Sequence, residues 1–181
     1  MLGQDIAGST VGIIGLGGIG QTIVKRLKAF NVGQFLYTGH REKPEGKDLD
    51  AKFVDLETLN RQSDYIIISC PLNDETRGCI NKDFLSKTKQ TAVLVNVSRG
   101  EIVDQEALIE ALKEGNLFAA GLDVMTPEPL PANHELLRLP NVVLMPHLGS
   151  ATRQTRDAMA SLTAKNILRG LNGEKLLTPV C

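Results

Sequence analysis

The sequence predicts a doubly wound α/β domain, in which a parallel β-sheet carries helices on both faces. Six short apolar runs rich in β-branched residues alternate with segments of helical periodicity. Each run is apolar on both faces, which is typical of strands that helices cover on both sides. The chain has 181 residues, which corresponds to about one domain at roughly 150 residues per domain. One sheet wrapped by helical crossovers therefore accounts for the pattern.

The elements follow one another in a regular order. The predicted strands lie at 11–14, 35–38, 65–69, 92–96, 117–122 and 142–145. The predicted helices lie at 19–30, 56–62, 82–87, 104–113 and 152–171. Asp104 is suited to cap the fourth of them, and Ser150 or Thr152 could cap the fifth. Three prolines within 126–131 indicate a stiff, extended loop between the last two strands.

Composition excludes several classes of function. The 20 basic and 21 acidic residues leave a net charge of -1, so no positive field attracts nucleic acid or an anionic membrane surface. The apolar runs are far shorter than the roughly 20 residues that a membrane span needs. The three cysteines, Cys70, Cys79 and Cys181, have no CxxC spacing, which argues against a disulfide framework or a thiolate metal site. We predict a cytoplasmic protein without a metal.

The first strand leads directly into a glycine-rich turn that opens a helix. The turn reads Gly15-Leu16-Gly17-Gly18-Ile19-Gly20, a GxGxxG pattern. The first glycine permits a tight turn, the second allows backbone to approach a pyrophosphate, and the third allows the helix to pack against the strand. The helix N-terminus supplies N–H donors for the phosphates. This strand, turn and helix predict a Rossmann-type dinucleotide-binding domain.

The residues at the end of the second predicted strand indicate whether the domain prefers NAD(H) or NADP(H). An NAD site would place Asp or Glu about 20 residues after the glycine turn, where it would bind the ribose 2′-hydroxyl. This chain has Thr38-Gly39-His40-Arg41, with Lys43 close behind. Cations without a carboxylate suit a 2′-phosphate, so we predict NADP(H) in preference to NAD(H). The alternative is that these are ordinary solvated loop charges, and Glu42 weakens the positive field.

Three ionisable residues follow the later predicted strands. Arg99 follows the fourth, Glu128 lies in the proline-rich loop after the fifth, and His147 follows the sixth. Because the carboxyl ends of parallel strands meet at one edge, these side chains are expected to converge there. Each residue by itself has a simpler explanation, since an Arg after a strand is usually a surface charge and a His before Gly-Ser can cap a helix. Together with the glycine turn they predict a catalytic site.

These motifs, in this order, resemble the D-isomer-specific 2-hydroxyacid dehydrogenases, and among them the glyoxylate/hydroxypyruvate reductases. The resemblance extends over most of the chain, through 8–20, 96–103, 120–124, 128–131 and 146–152. It implies that Arg99 binds the carboxylate and carbonyl of the substrate. It also implies that His147 donates the proton and that Glu128 pairs with His147.

The resemblance also assigns cofactor contacts. Asp123 would lie near the nicotinamide carboxamide, and Val97 and Gly149 would line the cofactor site. Pro71 ends the third predicted strand, at the rim where adenine or ribose should lie.

The implied reaction is the NADPH-dependent reduction of small 2-keto acids, glyoxylate to glycolate and hydroxypyruvate to D-glycerate. Such a reduction needs a hydride, a proton and a cation for the carboxylate. A nicotinamide, His147 and Arg99 would supply one each, and a carboxylate beside the imidazole would favour its protonated form. The full-length form is expected to be a homodimer.

The chain departs from the family in two respects. The family usually has Arg where this sequence has Gly18, and relatives carry a substrate domain ahead of this region. We therefore expect residues 1–151 to form the dinucleotide-binding domain and 152–181 to form a helix and tail that return to the absent domain. The chain alone should bind NADPH with little or no turnover.

Two rival interpretations remain for comparison. A corepressor or scaffold of the same superfamily would use dinucleotide binding as a conformational switch, and the site residues alone do not exclude it. A formate dehydrogenase would have Gln at the position of Glu128, so we reject that possibility.

The remaining histidine, His134, lies outside the predicted site and is expected to be simply exposed.

Overall fold

The structure is a computed structural model that describes residues 2–179. Cys181, for which the sequence predicts no disulfide partner, lies outside the described residues. In this described part of the chain, seven strands form a sheet in which every pairing is parallel. The strands are β1 Thr10–Ile14, β2 Gln34–Thr38, β3 Ala51–Phe53, β4 Tyr65–Ile68, β5 Val93–Asn96, β6 Ala119–Leu122 and β7 Val142–Leu144.

The strand order places a crevice at the middle of the sheet. Across the sheet the strands run β3-β2-β1-β4-β5-β6-β7, so the winding direction reverses between β1 and β4. At such a reversal the connections leave in opposite directions and open a ligand crevice at the carboxyl edge. The predicted doubly wound parallel sheet is confirmed, and its crevice lies beside the glycine turn.

Six α-helices accompany the strands within residues 2–179. They are α1 Gly18–Leu27, α2 Pro44–Asp48, α3 Leu56–Gln62, α4 Lys82–Ser86, α5 Gln105–Glu114 and α6 Arg153–Leu171. The sequence did not predict α2 or β3. Helix α2 is a single turn that begins at a proline, and β3 is three residues long with an exposed lysine at its centre. Both are too short to show a periodicity, and β3 exists because it pairs with β2.

Apolar side chains cover both faces of the sheet. Val11, Ile13 and Phe35 belong to one buried cluster, whereas Ile66 and Leu94 belong to another. Successive residues of one strand enter different clusters, as Ile66 and Ile67 do, which is why the strands read as continuous apolar runs. The edge strand β7 is the exception to the prediction, since Val143 is 66% exposed.

The chain divides into two compact units, Met1–Pro146 and His147–Cys181. The second unit contains α6, whose first turn is capped by Thr152, one of the two predicted candidates, through a 3.2 Å hydrogen bond from the Thr155 N–H. Its tail packs back on the helix, because the Asn166 side chain accepts from the Leu177 N–H at 2.8 Å and donates to the Thr178 hydroxyl at 2.8 Å. Among residues 2–179, no helix combines the length and the apolar character needed to cross a membrane.

Asp64 joins the amino end of β1 to the segment before β5. One carboxylate oxygen accepts the Thr10 N–H at 2.9 Å, and the other accepts from Lys89 Nζ at 2.8 Å. Partial burial raises the pKa of Asp64, but the hydrogen bonds from Lys89 and Thr10 outweigh it and hold the pKa below its ordinary value. Asp64 therefore stabilises the fold above its ordinary pKa of 3.8, and this contribution is lost as the pH falls through the folded-state pKa.

We expect Asp64→Ala to reduce the free energy of unfolding at pH 7 by about 1–3 kcal/mol. It leaves the Thr10 N–H without its acceptor and removes the carboxylate partner of the Lys89 ammonium, which keeps the Gln62 carbonyl. Urea titrations at pH 7 and pH 3 measure the change, which should shrink at the lower pH. Glu110→Ala is the control. It removes an exposed ion pair with Lys82, and alanine is well tolerated within a helix, so the free energy of unfolding should change little. An equal loss at both pH values would show that the charge of Asp64 is irrelevant.

Candidate active site

The turn between β1 and α1 requires a glycine at its first position. Gly15 has φ +97°, and a Cβ there would lie 2.6 Å from the backbone N and Cα of Cys70. The turn is fixed on both sides: the Gly15 N–H donates to the Thr38 carbonyl at 3.0 Å, and its carbonyl accepts from the Ser69 hydroxyl at 2.8 Å. The glycine turn therefore lies between the carboxyl ends of β2 and β4.

Helix α1 begins beside this turn. Gly17 is its N-cap, and in the part of the chain that the structure describes no side chain caps its first turn. The first N–H groups of a helix have no intrahelical acceptor and carry partial positive charge. They are the donors that an anionic group such as a pyrophosphate would use.

A cleft of about 750 Å³ joins the glycine turn to the tip of β2. Gly39, His40 and Arg41 line it from the β2 side, and Pro71 lines it from the end of β4. Leu16 also borders the cleft, although its side chain is buried in the core. The structure thus brings together predicted cofactor residues that are separated in the sequence.

The β2 tip is anchored by a residue that the sequence analysis did not single out. Tyr37 is buried, and its hydroxyl accepts the Lys43 N–H at 2.9 Å. This bond holds the far end of the basic loop, so that Lys43 also lines the cleft. Only tertiary contacts reveal this anchor, because a Tyr in a β-strand is an ordinary core residue by pattern.

An acidic residue enters the same cleft from another part of the chain. Glu75, in the loop after β4, places Oε2 at 3.2 Å from Nδ1 of His40. No sequence pattern indicates this residue, since only the fold brings the loop after β4 to the tip of β2.

The cysteines of the cleft are thiols at neutral pH. Burial raises the pKa of Cys70 to about 11 and also raises the pKa of Cys79. Protonated thiols are poor nucleophiles, so Cys70 and the half-buried Cys79 contribute to packing in the cleft wall.

A second cleft of about 540 Å³ extends from the glycine turn toward Arg99. Gly17, Gly18 and Ile19 line one side, and Ser98 and Arg99 line the other. The main chain between Ser98 and Arg99 therefore faces the start of α1 across the carboxyl edge of the sheet.

Asn96 holds the Arg99 turn in place. Its buried side chain accepts the Ser98 N–H at 3.0 Å and donates to the Arg99 carbonyl at 2.9 Å. The Ser98 hydroxyl donates to the Cys70 carbonyl, which joins this turn to the end of β4. The predicted cofactor residue Val97 lies within the turn and is half-buried. An apolar run followed by Asn could have indicated this local hydrogen bonding.

The loop that carries Glu128 packs against the Arg99 turn. A Cβ at Gly100 would lie 2.3 Å from the carbonyl carbon of Met125, so backbone approaches backbone at this point. Glu128 accepts the Met125 N–H at 3.0 Å through Oε1. Within the first unit, Arg99 and Glu128 thus lie on two segments that are in direct contact.

Gln105, at the start of α5, clamps the same loop. Its side chain donates to the Thr126 carbonyl at 2.6 Å and accepts the Thr126 N–H at 3.0 Å. Asp123 precedes the loop and donates its N–H to the Asn96 carbonyl at 3.0 Å. No local sequence pattern indicates Gln105, because its hydrogen-bond partner Thr126 is 21 positions away in the chain.

His147 and Gly149 belong to the second unit. His147 has φ +54° and an exposed side chain. A left-handed backbone at a non-glycine residue is uncommon, and such residues cluster at functional sites. Pairing of His147 with Glu128, and contact of Gly149 with a cofactor, stay predictions.

His134 is half-buried, so the expectation of a simply exposed side chain is wrong. Its Nδ1 accepts the Leu136 N–H at 3.2 Å and caps a short 3-10 helix at Glu135–Arg138. Its Nε2 lies 3.3 Å from Nε2 of Gln105. His134 is a structural residue because a local cap and a long-range contact both occupy its ring.

Residues 1–149 match the family described as D-isomer specific 2-hydroxyacid dehydrogenase, NAD binding domain. The chain belongs to this family. It is 52% identical to the human glyoxylate reductase/hydroxypyruvate reductase over 177 residues, which are 97% of this chain and 54% of the relative. It is 48% identical to the glyoxylate reductase of Pyrococcus horikoshii over 173 residues, 96% of this chain and 52% of that protein. The chain spans about half the length of the curated relatives it matches.

Solved structures agree with this family. The crystal structure of the TT0316 protein from Thermus thermophilus matches with a TM-score of 0.93 and 44% identity, covering 99% of this chain and 56% of that one. A glyoxylate reductase from Paecilomyes thermophila matches with a TM-score of 0.92 and 36% identity, covering 99% and 54%. The family resemblance drawn from the motifs is confirmed.

Proposed function

We propose that this chain is the cofactor-binding part of an NADPH-dependent reductase of small 2-keto acids, with glyoxylate and hydroxypyruvate as its substrates. The observation that carries the proposal is the cleft that joins the glycine turn to the basic tip of β2. Relatives that are named glyoxylate reductases support the substrate class. A homodimeric, cytoplasmic full-length protein belongs to the same proposal.

The residues present fit a dinucleotide. The Gly15 turn leaves no side chain between β1 and α1, and the first turn of α1 offers N–H donors to a pyrophosphate. Thr38 ends β2 where an NAD site would have a carboxylate, and Arg41 lines the cleft just beyond it. This arrangement supports NADP(H) over NAD(H), because a guanidinium binds a phosphate through charge-assisted hydrogen bonds.

A small number of groups carry out the chemical steps of the reduction. A bound nicotinamide supplies the hydride for the carbonyl carbon. Arg99 holds the substrate carboxylate, since its planar fork matches two carboxylate oxygens. His147 donates a proton to the carbonyl oxygen, and Glu128 pairs with the imidazole. Asp123, Val97 and Gly149 complete the cofactor site.

Arg41→Asp tests the cofactor proposal. It replaces a phosphate-binding cation by an anion that repels a 2′-phosphate and can accept from a 2′-hydroxyl. We expect the dissociation constant for NADPH to rise by about 10- to 100-fold, the range of one lost charge-assisted hydrogen bond. The constant for NADH should stay the same or fall, so that the preference reverses. Fluorescence titration of the chain with each reduced cofactor measures both.

Lys47→Asp is the matched control, because Lys47 is an exposed cation on α2 in the same segment. It should leave the preference unchanged. Tighter binding of NADH than of NADPH by the wild-type chain would overturn the NADP(H) proposal.

A further inference from the structure

We propose that Glu75 sets the cofactor preference by opposing the 2′-phosphate, so that the site admits NADH as well as NADPH. This inference rests on the proposed function, since it concerns the same cleft. The carboxylate lies 3.2 Å from the His40 imidazole, across the cleft from the glycine turn. It is an acidic group from the loop after β4, and it lines the same cleft as the basic residues Arg41 and Lys43 at the β2 tip.

The turn that carries Glu75 is well defined. The Asn73 side chain accepts the N–H groups of Glu75 at 3.1 Å and Thr76 at 2.9 Å. The Thr76 hydroxyl donates to the Pro71 carbonyl at 2.7 Å. Pro71 directly follows the end of β4, so these bonds hold the turn at the carboxyl edge of the sheet. These bonds fix the backbone of Glu75 at the edge of the cleft, and its exposed side chain reaches His40 from there.

The charges in this cleft oppose one another. His40, Arg41 and Lys43 come from the β2 tip, and Glu75 faces His40 from the other side. A phosphate bound beside these cations would lie close to the Glu75 carboxylate and would be repelled by it. The contact with Glu75 also occupies an imidazole nitrogen that could otherwise donate to the phosphate. A carboxylate can instead accept a hydrogen bond from a ribose 2′-hydroxyl, as the acidic residue of an NAD site does.

Both partners are largely exposed, with side-chain exposures of 71% for His40 and 74% for Glu75. Solvent therefore screens the interaction, and its effect on affinity is moderate. An exposed charge pair corresponds to a change of up to about fivefold in an equilibrium constant. The repulsion should weaken further as salt rises, because the Debye length falls below about 8 Å above physiological ionic strength.

The experiment compares Glu75→Gln with wild type, using 2′,5′-ADP and 5′-AMP as probes in calorimetric titrations. Both ligands lack the nicotinamide, so they report on the adenosine end of the site. They differ only in the 2′-phosphate, so the difference between their affinities measures the effect of that phosphate. We expect Glu75→Gln to tighten 2′,5′-ADP binding by about three- to fivefold at low salt and to leave 5′-AMP unchanged or weaker. The ratio of NADPH to NADH affinity should rise by the same factor.

Asp74→Asn is the matched control, because Asp74 is an exposed acid one position away that does not line the cleft. It should leave both affinities unchanged. No change in Glu75→Gln, weaker binding of 2′,5′-ADP, or an equal effect of the two variants overturns the proposal. If wild type prefers NADH, the NADPH assignment fails, while the shift between wild type and Glu75→Gln still decides the role of Glu75.

Discussion

Replacing His147 by Asn should lower the turnover number for glyoxylate by a factor of about 10²–10⁴, the usual contribution of a general acid. Asn removes the titratable imidazole and tolerates the left-handed backbone that His147 adopts at φ +54°. The fold should therefore be preserved, and the dissociation constant for NADPH should change by less than about twofold, since the variant removes a proton donor and not a phosphate contact. The turnover number is measured from the loss of NADPH absorbance, and the assay uses the longest form of the protein that its gene encodes.

The comparison with Glu128→Gln extends this test. Gln keeps the size and the acceptor oxygen for the Met125 N–H but removes the charge that favours a protonated imidazole. Its turnover should fall less than that of His147→Asn. Unchanged turnover in His147→Asn would refute the proton-donor role. Tight NADPH binding without any turnover in the wild-type protein of that longest form would favour the corepressor interpretation.

Replacing Gly15 by Ala should abolish most cofactor binding and destabilise the domain. The new Cβ would lie 2.6 Å from the backbone of Cys70, and φ +97° is unfavourable for any residue with a Cβ. Backbone strain and overpacking each cost about 1–3 kcal/mol, so we expect the free energy of unfolding to fall by about 2–6 kcal/mol. The start of α1 must shift to relieve the contact, which moves the N–H donors. NADPH binding should weaken by about 100-fold, or about 2.7 kcal/mol.

Gly39→Ala is the control for this variant. Gly39 lines the same cleft, but a Cβ there meets no atom within 4 Å. It should leave the melting temperature nearly unchanged and alter NADPH binding by a small factor. Thermal unfolding and fluorescence titration on the two variants separate the requirement for a glycine turn from the general sensitivity of the cleft. Normal NADPH affinity in Gly15→Ala would contradict the role of the turn.

Local patterns in the sequence were sufficient for the main features of the fold. The apolar runs predict β1, β2 and β4 because burial on both faces demands continuous hydrophobicity. The caps of α5 and α6 are visible because Asp104 and Thr152 bond within their own turns. The order of strand, glycine turn and helix predicts the position of the crevice, since sheet topology follows from the right-handed crossover.

Contacts between distant segments could not be predicted in the same way. Glu75 and His40, Gln105 and Thr126, and the backbone approach of Gly100 to Met125 each depend on which segments the fold places side by side. Single residues at such positions show no hydrophobic periodicity, so the sequence alone does not distinguish them from ordinary surface residues.

The sequence by itself determined the layered sheet, the glycine turn and the candidate residues at the carboxyl edge, because these follow from local periodicity and from the parallel direction of the strands. Only the tertiary structure decided which side chains share a cleft. It showed that a carboxylate from the β4 loop faces the basic tip of β2, and that the segments of Arg99 and Glu128 touch. Electrostatic interactions act over a few ångströms in space, and the distance along the chain does not reveal them.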